Sequence, residues 1–419
     1  MNDSRPGFRQ AFESLAYADY RRFAVALLLT QMGAQIVQIA ILWQVYQLTG
    51  SPLLLGLTGL ARAIPHIVLS LIGGVIADRV NRIRLIQVGQ VTNAALTLAL
   101  AALTIAGWVE VWHLYVATSL NAAFTALTQP ARTALIPRLV PPRTLVNAVA
   151  LNATIQQIAQ IVGPALAGGM IGAADLGPTY LVNGAAYLLG VVALAGIRTP
   201  ALSPATEESP WQSLLEGLEF VRDRPVIVSL LGLDLSQTIF GGYRVLLPLI
   251  ADQVLGVGPE GYGLLSAAPG VGSVLGATAI LSLGDMRYKG IYTICGVLGN
   301  CVALVLLAVS PWFVLSLVAS ALLGVTNSVQ MVPRNSAILA ITPDALRGRV
   351  ESFRSMLAGG GPPLGYTLAG AVAAALGAPM ALALGAAACA VTVLGIAVTR
   401  HELRDPNLGS FSPEPVGVE

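Results

Sequence analysis

The chain has 419 residues, of which 55% are hydrophobic and 11% are charged, whereas about 25% of the residues in an ordinary soluble domain are charged. This composition excludes an ordinary water-soluble fold and indicates an all-α polytopic membrane protein. The formal net charge of +2 is too small to indicate a nucleic-acid partner, and the apolar composition makes the lipid bilayer the expected surroundings.

A bilayer core requires about 20 apolar residues per helix, and the chain has twelve such runs, numbered here as spans 1 to 12. They lie near residues 23–48, 53–77, 85–107, 111–131, 145–173, 176–197, 225–250, 261–283, 290–310, 312–333, 350–376 and 379–400. The first 22 residues are charged and lack an apolar core with a cleavage site, so we expect no cleaved signal peptide.

Basic residues occupy alternate connections between the spans. All arginines and the single lysine lie before span 1 or near the connections after the even-numbered spans, except Arg62 and Arg244, which lie within spans. Because cytoplasmic loops retain Lys and Arg, we predict a multi-pass protein with both termini in the cytoplasm. On this pattern, Arg334 belongs to the connection after span 10; the alternative is that it continues the polar face of span 10 that carries Asn327 and Gln330.

The longest connection, residues 198–224, divides six spans from six and is typical of an interdomain linker. Apolar residues recur in it at helical spacing, which predicts a short amphipathic helix on the membrane surface. These residues are Trp211, Leu214, Leu215 and Leu218. The predicted domains are a six-helix bundle over 23–197, a second bundle over 225–400, and cytoplasmic ends over 1–22 and 401–419.

The two halves resemble each other in sequence. QPARTALIPRLVPPRTLVNA (129–148) and VPRNSAILAITPDALRGRV (332–350) each join the fourth span of a half to the fifth. Pro130 matches Pro333, and Pro142 matches Pro343. Two copies of six helices in the same orientation form a parallel repeat, which is typical of one transporter architecture.

The connection after span 2 reads LIGGVIADRVNRIRLI (71–86). Its Gly74, Asp78, Arg79 and Arg82 resemble the G-x-x-x-D-R-x-x-R loop of the major facilitator superfamily, to which the whole chain is similar. Residues 43–82 and 241–277 resemble its bacterial drug:proton antiporter branch, which contains the enterobactin exporter and macrolide efflux proteins. The resemblance implies the major facilitator fold, the bacterial cytoplasmic membrane and a monomer.

The resemblance also implies gating residues. In the superfamily, the aspartate of this loop meets a helix of the opposite half when the cavity opens outward, so Gly74, Asp78, Arg79 and Arg82 are the expected gate. Asn81 stands where a glycine is usual, and Asn tolerates left-handed backbone.

Gly163 and Pro164, in GPALAG (163–168), resemble the G-P-x-x-G-G element of span 5 in antiporters. They are further gate candidates, because both residue types loosen a helix at a pivot. The alternative for them is simple small-residue packing.

Polar side chains recur on single faces of several spans, as expected for helices that line a wet cavity. The candidates for substrate contact are Gln31, Gln35, Gln38, Asn121, Thr125, Gln156, Gln160, Tyr243, Asn327 and Gln330. The alternative for each residue is a hydrogen bond between helices without any ligand.

Three charges lie within spans: Arg62, Asp234 and Arg244. Intramembrane charges are functional candidates by default, and these three are the candidates for ion coupling. A carboxyl group that is desolvated in one state and beside an arginine in another can take up and release a proton. We therefore expect Asp234 to be the proton carrier, with Arg62 as a conceivable partner; the alternative is a fixed, hydrogen-bonded aspartate.

These features predict a secondary transporter that exports hydrophobic or amphipathic small molecules of the drug or siderophore type by proton-coupled alternating access. The alternatives are a nutrient importer or lipid transporter of the same fold, or a receptor or scaffold. The sequence has no H-E-x-x-H, G-x-S-x-G or G-x-x-x-x-G-K-[ST] motif. We therefore expect neither an enzyme nor a bound cofactor or metal.

Overall fold

The computed structural model describes residues 10–197, 210–284, 286–405 and 408. Throughout these ranges the regular structure is helical, without a strand. This agrees with the predicted class, because helices satisfy every backbone polar group within one segment, as the bilayer requires.

Six long helices form the first half of the chain, one for each of spans 1 to 6. They are α1 (Ala18–Thr49), α2 (Pro52–Arg79), α3 (Arg82–Ile105), α4 (Val111–Leu139), α5 (Leu145–Ala174) and α6 (Leu176–Ala195). A linker helix, α7 (Pro210–Arg222), follows them.

The second half repeats this order. Its helices are α8 (Pro225–Phe240), α9 (Gly258–Ser282), α10 (Lys289–Val309), α11 (Phe313–Ile341), α12 (Arg347–Leu376) and α13 (Ala378–Thr399). Short 3-10 and π turns continue span 7 from Tyr243 to Val254, so the apolar segment that begins with α8 is broken after Phe240.

Ten helical segments of the described chain are long and apolar enough to cross a membrane. The other two long helices, α4 and α12, have 29 and 30 residues and occupy the positions of spans 4 and 11. They are less apolar because polar residues interrupt α4 and a run of glycines and prolines interrupts α12. The prediction of twelve transmembrane helices in two six-helix repeats is confirmed.

Two helices extend well past the spans that hydropathy predicts. Helix α4 continues from residue 131 to Leu139, and α11 continues from residue 333 to Ile341. Arg132 and Arg334 therefore lie inside helices, and the placement of Arg334 in a connection was wrong. The physical reason is that a charge ends an apolar run, whereas arginine is a good helix former and does not end a helix.

Contacts divide the chain into two units: Met1–Leu48 with Ile64–Glu207, and Thr49–Ala63 with Glu208–Glu419. In the first unit, a buried cluster that includes Tyr20, Phe23 and Leu135 joins α1 to α4 and its neighbours. The predicted domain limits, 23–197 and 225–400, stay a prediction.

In the second unit, α9 and α11 approach each other at glycines. A methyl group at Gly272 would collide with the carbonyl oxygen of Ala321, and one at Gly324 with that of Pro269. The first part of α2 also packs on α12 at a glycine, because a methyl group at Gly56 would lie 2.9 Å from the Cα atom of Gly370. The Thr367 hydroxyl donates to the Gly56 carbonyl there at 3.1 Å. Small residues thus set the spacing of these helices.

Candidate functional site

Asp234 of α8 forms an ion pair with Arg334 of α11, and the two side chains are 18% and 4% exposed. The Arg334 Nη1 atom also donates a hydrogen bond to Gln330 Oε1 at 2.8 Å. Arg62 is the partner suggested by the sequence, but the ion pair that the structure shows is with Arg334. Burial of two charges is tolerable here because each has a counter-charge and a further polar contact.

A chain of amides continues from this ion pair. Gln330 Nε2 and Gln237 Nε2 both donate to Asn327 Oδ1, at 3.3 and 3.4 Å. We call these five residues, Asp234, Gln237, Asn327, Gln330 and Arg334, the Asp234 network. Its hydrogen bonding is incomplete, because Gln237 Oε1 and Arg334 Nε are buried without a protein partner. Such atoms can bind a water molecule or a ligand group.

A second arginine lies near this network. Arg354 of α12 pairs with Glu351 and also interacts electrostatically with Asp234. A cavity of about 390 Å³ is lined by Arg354, Glu351 and Asn335, among other residues. The Asn335 Oδ1 atom is buried without a hydrogen-bond partner. The cavity therefore reaches the Asp234 network only through Arg354, because Asp234 and Arg334 are not among its lining residues.

The first unit has a related arrangement without an acid. Arg132 of α4 donates from Nη1 to Gln31 Oε1 of α1 at 3.4 Å. Helices α1 and α4 occupy the same places in their repeat as α8 and α11 in theirs, so each unit sets an arginine against a polar residue of its first helix. Within the described residues, only the second unit has a carboxylate at this place, where the first unit has an amide.

The remaining polar residues of the first unit differ in exposure. Gln35 and Gln38 of α1 and Gln156 of α5 are half-buried, whereas Gln160 is exposed. Gln35 packs against α5, where a methyl group added to Gly163 would lie 2.6 Å from its Cβ atom. Gly163 and Pro164 are both buried in α5.

Asn121 and Thr125 of α4 are also half-buried. Asn121 Nδ2 donates to Asn93 Oδ1 of α3 at 3.1 Å. The Thr125 carbonyl accepts a bond from the Thr128 hydroxyl at 3.5 Å. Asn121 therefore forms the kind of hydrogen bond between helices that is the alternative to ligand contact, and substrate contact by Asn121 stays a prediction.

The structure describes the expected gate in part. Gly74, Asp78 and Arg79 lie in α2, but their side chains fall outside the part of the chain that is described. Arg82 begins α3, and its Nη1 atom donates to the Ala134 carbonyl at 3.3 Å.

Asn81, which precedes Arg82, has extended backbone and not the left-handed form. Its side chain caps α3 by accepting bonds from the backbone N–H groups of Ile83 and Arg84. A polar cap, and not left-handed backbone, therefore accounts for Asn at this position.

Sequence reasoning identified Asp234, Asn327 and Gln330 but missed Gln237 and the role of Arg334. Gln237 follows Asp234 by three residues and Arg334 follows Gln330 by four, so each pair shares a helical face. That spacing was a signal available in the sequence. The sequence does not tell which helices face each other.

Comparison with known proteins places the chain in a family. The family model described as "Transmembrane secretion effector", of the major facilitator class, matches residues 10–414. The enterobactin exporter EntS of Shigella boydii serotype 18 is 26% identical over 381 residues, which cover 88% of this chain and 86% of that protein. EntS of Escherichia coli strain SE11 is 25% identical with the same coverage.

Solved structures show the same fold. A bacterial homologue of the human lysosomal transporter Spinster, in an inward-facing and unoccupied conformation, has a TM-score of 0.73 at 13% identity, covering 96% of this chain and 99% of that one. The nucleoside transporter NupG has a TM-score of 0.73 at 14% identity, covering 91% and 100%. At these identities the likeness concerns the fold alone. The chain therefore belongs to the major facilitator superfamily of transporters, in the family of transmembrane secretion effectors, and resembles the enterobactin exporters.

Proposed function

We propose that the protein exports hydrophobic or amphipathic small molecules of the siderophore or drug type from bacterial cells, by alternating access and in exchange for protons. The observation that carries this proposal is the Asp234 network, in which a carboxylate and an arginine pair between two membrane helices. The similarity to enterobactin exporters along most of the chain supports export and this substrate class.

Proton exchange follows from the chemistry of the pair. When Asp234 takes up a proton, it loses its charge, and Arg334 keeps only the bond to Gln330. The buried guanidinium then needs a new partner, since an uncompensated charge is costly in low dielectric. Movement of α8 against α11 meets that need, and return of Arg334 to the carboxylate expels the proton. Protonation and helix movement are coupled in this way.

The remaining site proposals concern the substrate and the gate. We assign substrate contact to Gln35 and Gln156 in the first unit and to Tyr243 and Gln330 in the second. The gate is assigned to Asp78 and Arg82, with Gly163 and Pro164 as a pivot. The protein works as a monomer in the cytoplasmic membrane, with both termini in the cytoplasm.

Transport in membrane vesicles tests this function. Inverted vesicles that contain the protein should accumulate an amphipathic dye when their interior is acidic, and a protonophore should abolish the accumulation. Vesicles without the protein are the control. Accumulation only in right-side-out vesicles would instead indicate import. Accumulation that persists after the proton gradient collapses would contradict proton coupling.

A further inference from the structure

The break in span 7 places a cation among aromatic side chains. Helix α8 ends at Phe240, Gly241 and Gly242 follow, and the next turn carries Tyr243 and Arg244. Gly242 lies against the backbone of Gly365 in α12, where a methyl group would collide with the Gly365 carbonyl. This close approach brings Tyr243 and Arg244 next to Tyr366.

Three tyrosines interact electrostatically with the Arg244 guanidinium. Its central carbon lies 6.0 Å from the ring centroid of Tyr243, and Tyr366 and Tyr262 are its other electrostatic neighbours. Tyr262 comes from α9 and is fully buried, whereas Tyr243, Arg244 and Tyr366 are half-buried. We call these four residues the Arg244 cluster. It draws on three separate segments of the second unit.

Arg244 has no counter-charge among the described residues. No carboxylate there forms an ion pair with it, and its hydrogen-bond partner is the Tyr243 side chain. Asp234 precedes Arg244 by ten residues, or about 15 Å of helix, and is paired with Arg334. An arginine in a membrane protein normally has an anionic partner or lines a cavity, because its desolvation is otherwise uncompensated.

An anionic aromatic group would complete this cluster. The planar guanidinium offers two parallel N–H donors that match the two oxygens of a carboxylate. Tyrosine rings supply flat apolar surface on which an aromatic ring of the ligand can stack. The hydroxyl groups of the half-buried Tyr243 and Tyr366 can donate further hydrogen bonds to the anion.

We propose that the Arg244 cluster is a binding site for an acidic group carried on an aromatic ring of the transported molecule. This inference rests on the proposed function, because it names the substrate class of the same transporter. It separates the roles of two arginines of the second unit: Arg334 serves the proton and Arg244 serves the substrate. A molecule of this class has an apolar ring and a negative charge at one end.

Binding of a matched pair of probes tests the site. The pair is 2-naphthoate and 2-naphthamide, which have nearly the same shape and differ in charge. Equilibrium dialysis at neutral pH with the full chain in lipid nanodiscs should show naphthoate binding about tenfold more tightly, as expected for a charged hydrogen bond. Equal affinity of the wild-type protein for both probes, or failure to bind naphthoate, would overturn the proposal.

Variants test whether Arg244 causes the preference for naphthoate over naphthamide. Arg244→Gln should reduce the ratio of the two affinities to about one without changing the affinity for naphthamide. Arg244→Lys should keep part of the preference, because it retains the charge but not the planar donor pair. Arg400→Gln, at the exposed end of α13, removes an equal charge and should change nothing. A preference that survives in Arg244→Gln would place the site elsewhere.

The binding result is separable from the export result. Vesicles that fail to export while the wild-type protein still prefers naphthoate would defeat the proposed function and leave the Arg244 site standing. Vesicles that export while both probes bind equally would defeat the Arg244 site alone.

Discussion

Asp234 and Arg334 show how a membrane helix can retain a buried acid. The carboxylate is 18% exposed and the guanidinium 4%, so neither charge is well hydrated. Removing one partner of such a pair leaves the other charge uncompensated, whereas removing both charges leaves two neutral groups. The energetic consequences of single and double substitutions therefore differ in a predictable order.

Arg334→Gln should lower the free energy of unfolding by about 3–5 kcal/mol, because it leaves Asp234 charged and unpaired. The double variant Asp234→Asn with Arg334→Gln should recover much of that loss. Denaturant unfolding in detergent micelles measures both values. Arg347→Gln breaks an ion pair with Asp344 in which the side chains are 47% and 86% exposed. As the control, it should cost less than about 1 kcal/mol. A double variant less stable than Arg334→Gln would contradict this account of the pair.

The sequence predicts these residues unequally. Asp234 is conspicuous because an acid interrupts an apolar run, and Gln330 because amides recur on one face of span 10. Arg334 as the partner was not predictable, since it follows Asp234 by a hundred residues and hydropathy places it at the end of a span. Pairing across helices is a property of the packed structure, and hydropathy carries no information about it.

At the scale of helices, glycines set how closely α9 and α11 pack. The neighbours of Gly272 and Gly324 across this interface are backbone atoms, which cannot move aside as a flexible side chain can. Any added carbon must separate the two helices, and the cost is therefore expected to be that of overpacking.

Gly324→Ala should destabilise the protein by about 1–3 kcal/mol and lower its melting temperature in detergent. Gly395→Ala is the matched control, because Gly395 has no heavy atom within 4 Å of an added methyl group. Alanine is the better helix former, so this control should be neutral or slightly stabilising. Equal effects of the two substitutions would show that the α9 and α11 interface is looser than described.

The linker helix α7 was predicted to lie on the membrane surface, and the structure adds a contact between it and α12. Leu215 and Leu218 are exposed, which suits the predicted location on a membrane surface; the side chains of Trp211 and Leu214 lie outside the described part. Glu216 does not face away as a purely amphipathic pattern suggests, because it pairs with Arg349 at the start of α12. Gly217 packs on the backbone of Arg349, so α7 is docked.

Gly217→Val should undock α7, because an added carbon would lie 2.9 Å from the Arg349 carbonyl oxygen. Glu216→Gln removes only an exposed ion pair, which is worth less than about 1 kcal/mol. Hydrogen exchange of the α7 amides should therefore accelerate strongly in Gly217→Val and only slightly in Glu216→Gln. The reverse order would mean that charge, and not close packing, holds the linker helix.

For the whole molecule, periodicity and charge placement predicted the number of transmembrane helices and the repeat. The helix ends that were predicted too early share one physical origin. A transmembrane helix that extends beyond the apolar core continues through charged residues, as α4 and α11 do, so hydropathy ends it too early. The break after Phe240 was also missed, because span 7 is apolar on both sides of it and the break arises from packing of Gly242 on Gly365.

The repeat explains why proton coupling is expected in the second unit and not in the first. Both units place an arginine against the first helix of the repeat, at Gln31 in the first and at Asp234 in the second. An amide keeps its charge state at every pH, whereas a carboxylate has two. Under the proposed function, the proton dependence of transport is therefore expected to come from the second unit.

The measurement that tests this account most directly is gradient-driven accumulation by Asp234→Asn in inverted vesicles. Asparagine keeps the shape of the side chain but cannot titrate, so this variant should bind the transported dye and exchange it across the membrane without accumulating it. Asp223→Asn, at an exposed aspartate after α7, should accumulate dye like the wild-type protein. If Asp234→Asn accumulates dye against a gradient as wild type does, Asp234 is not the proton carrier.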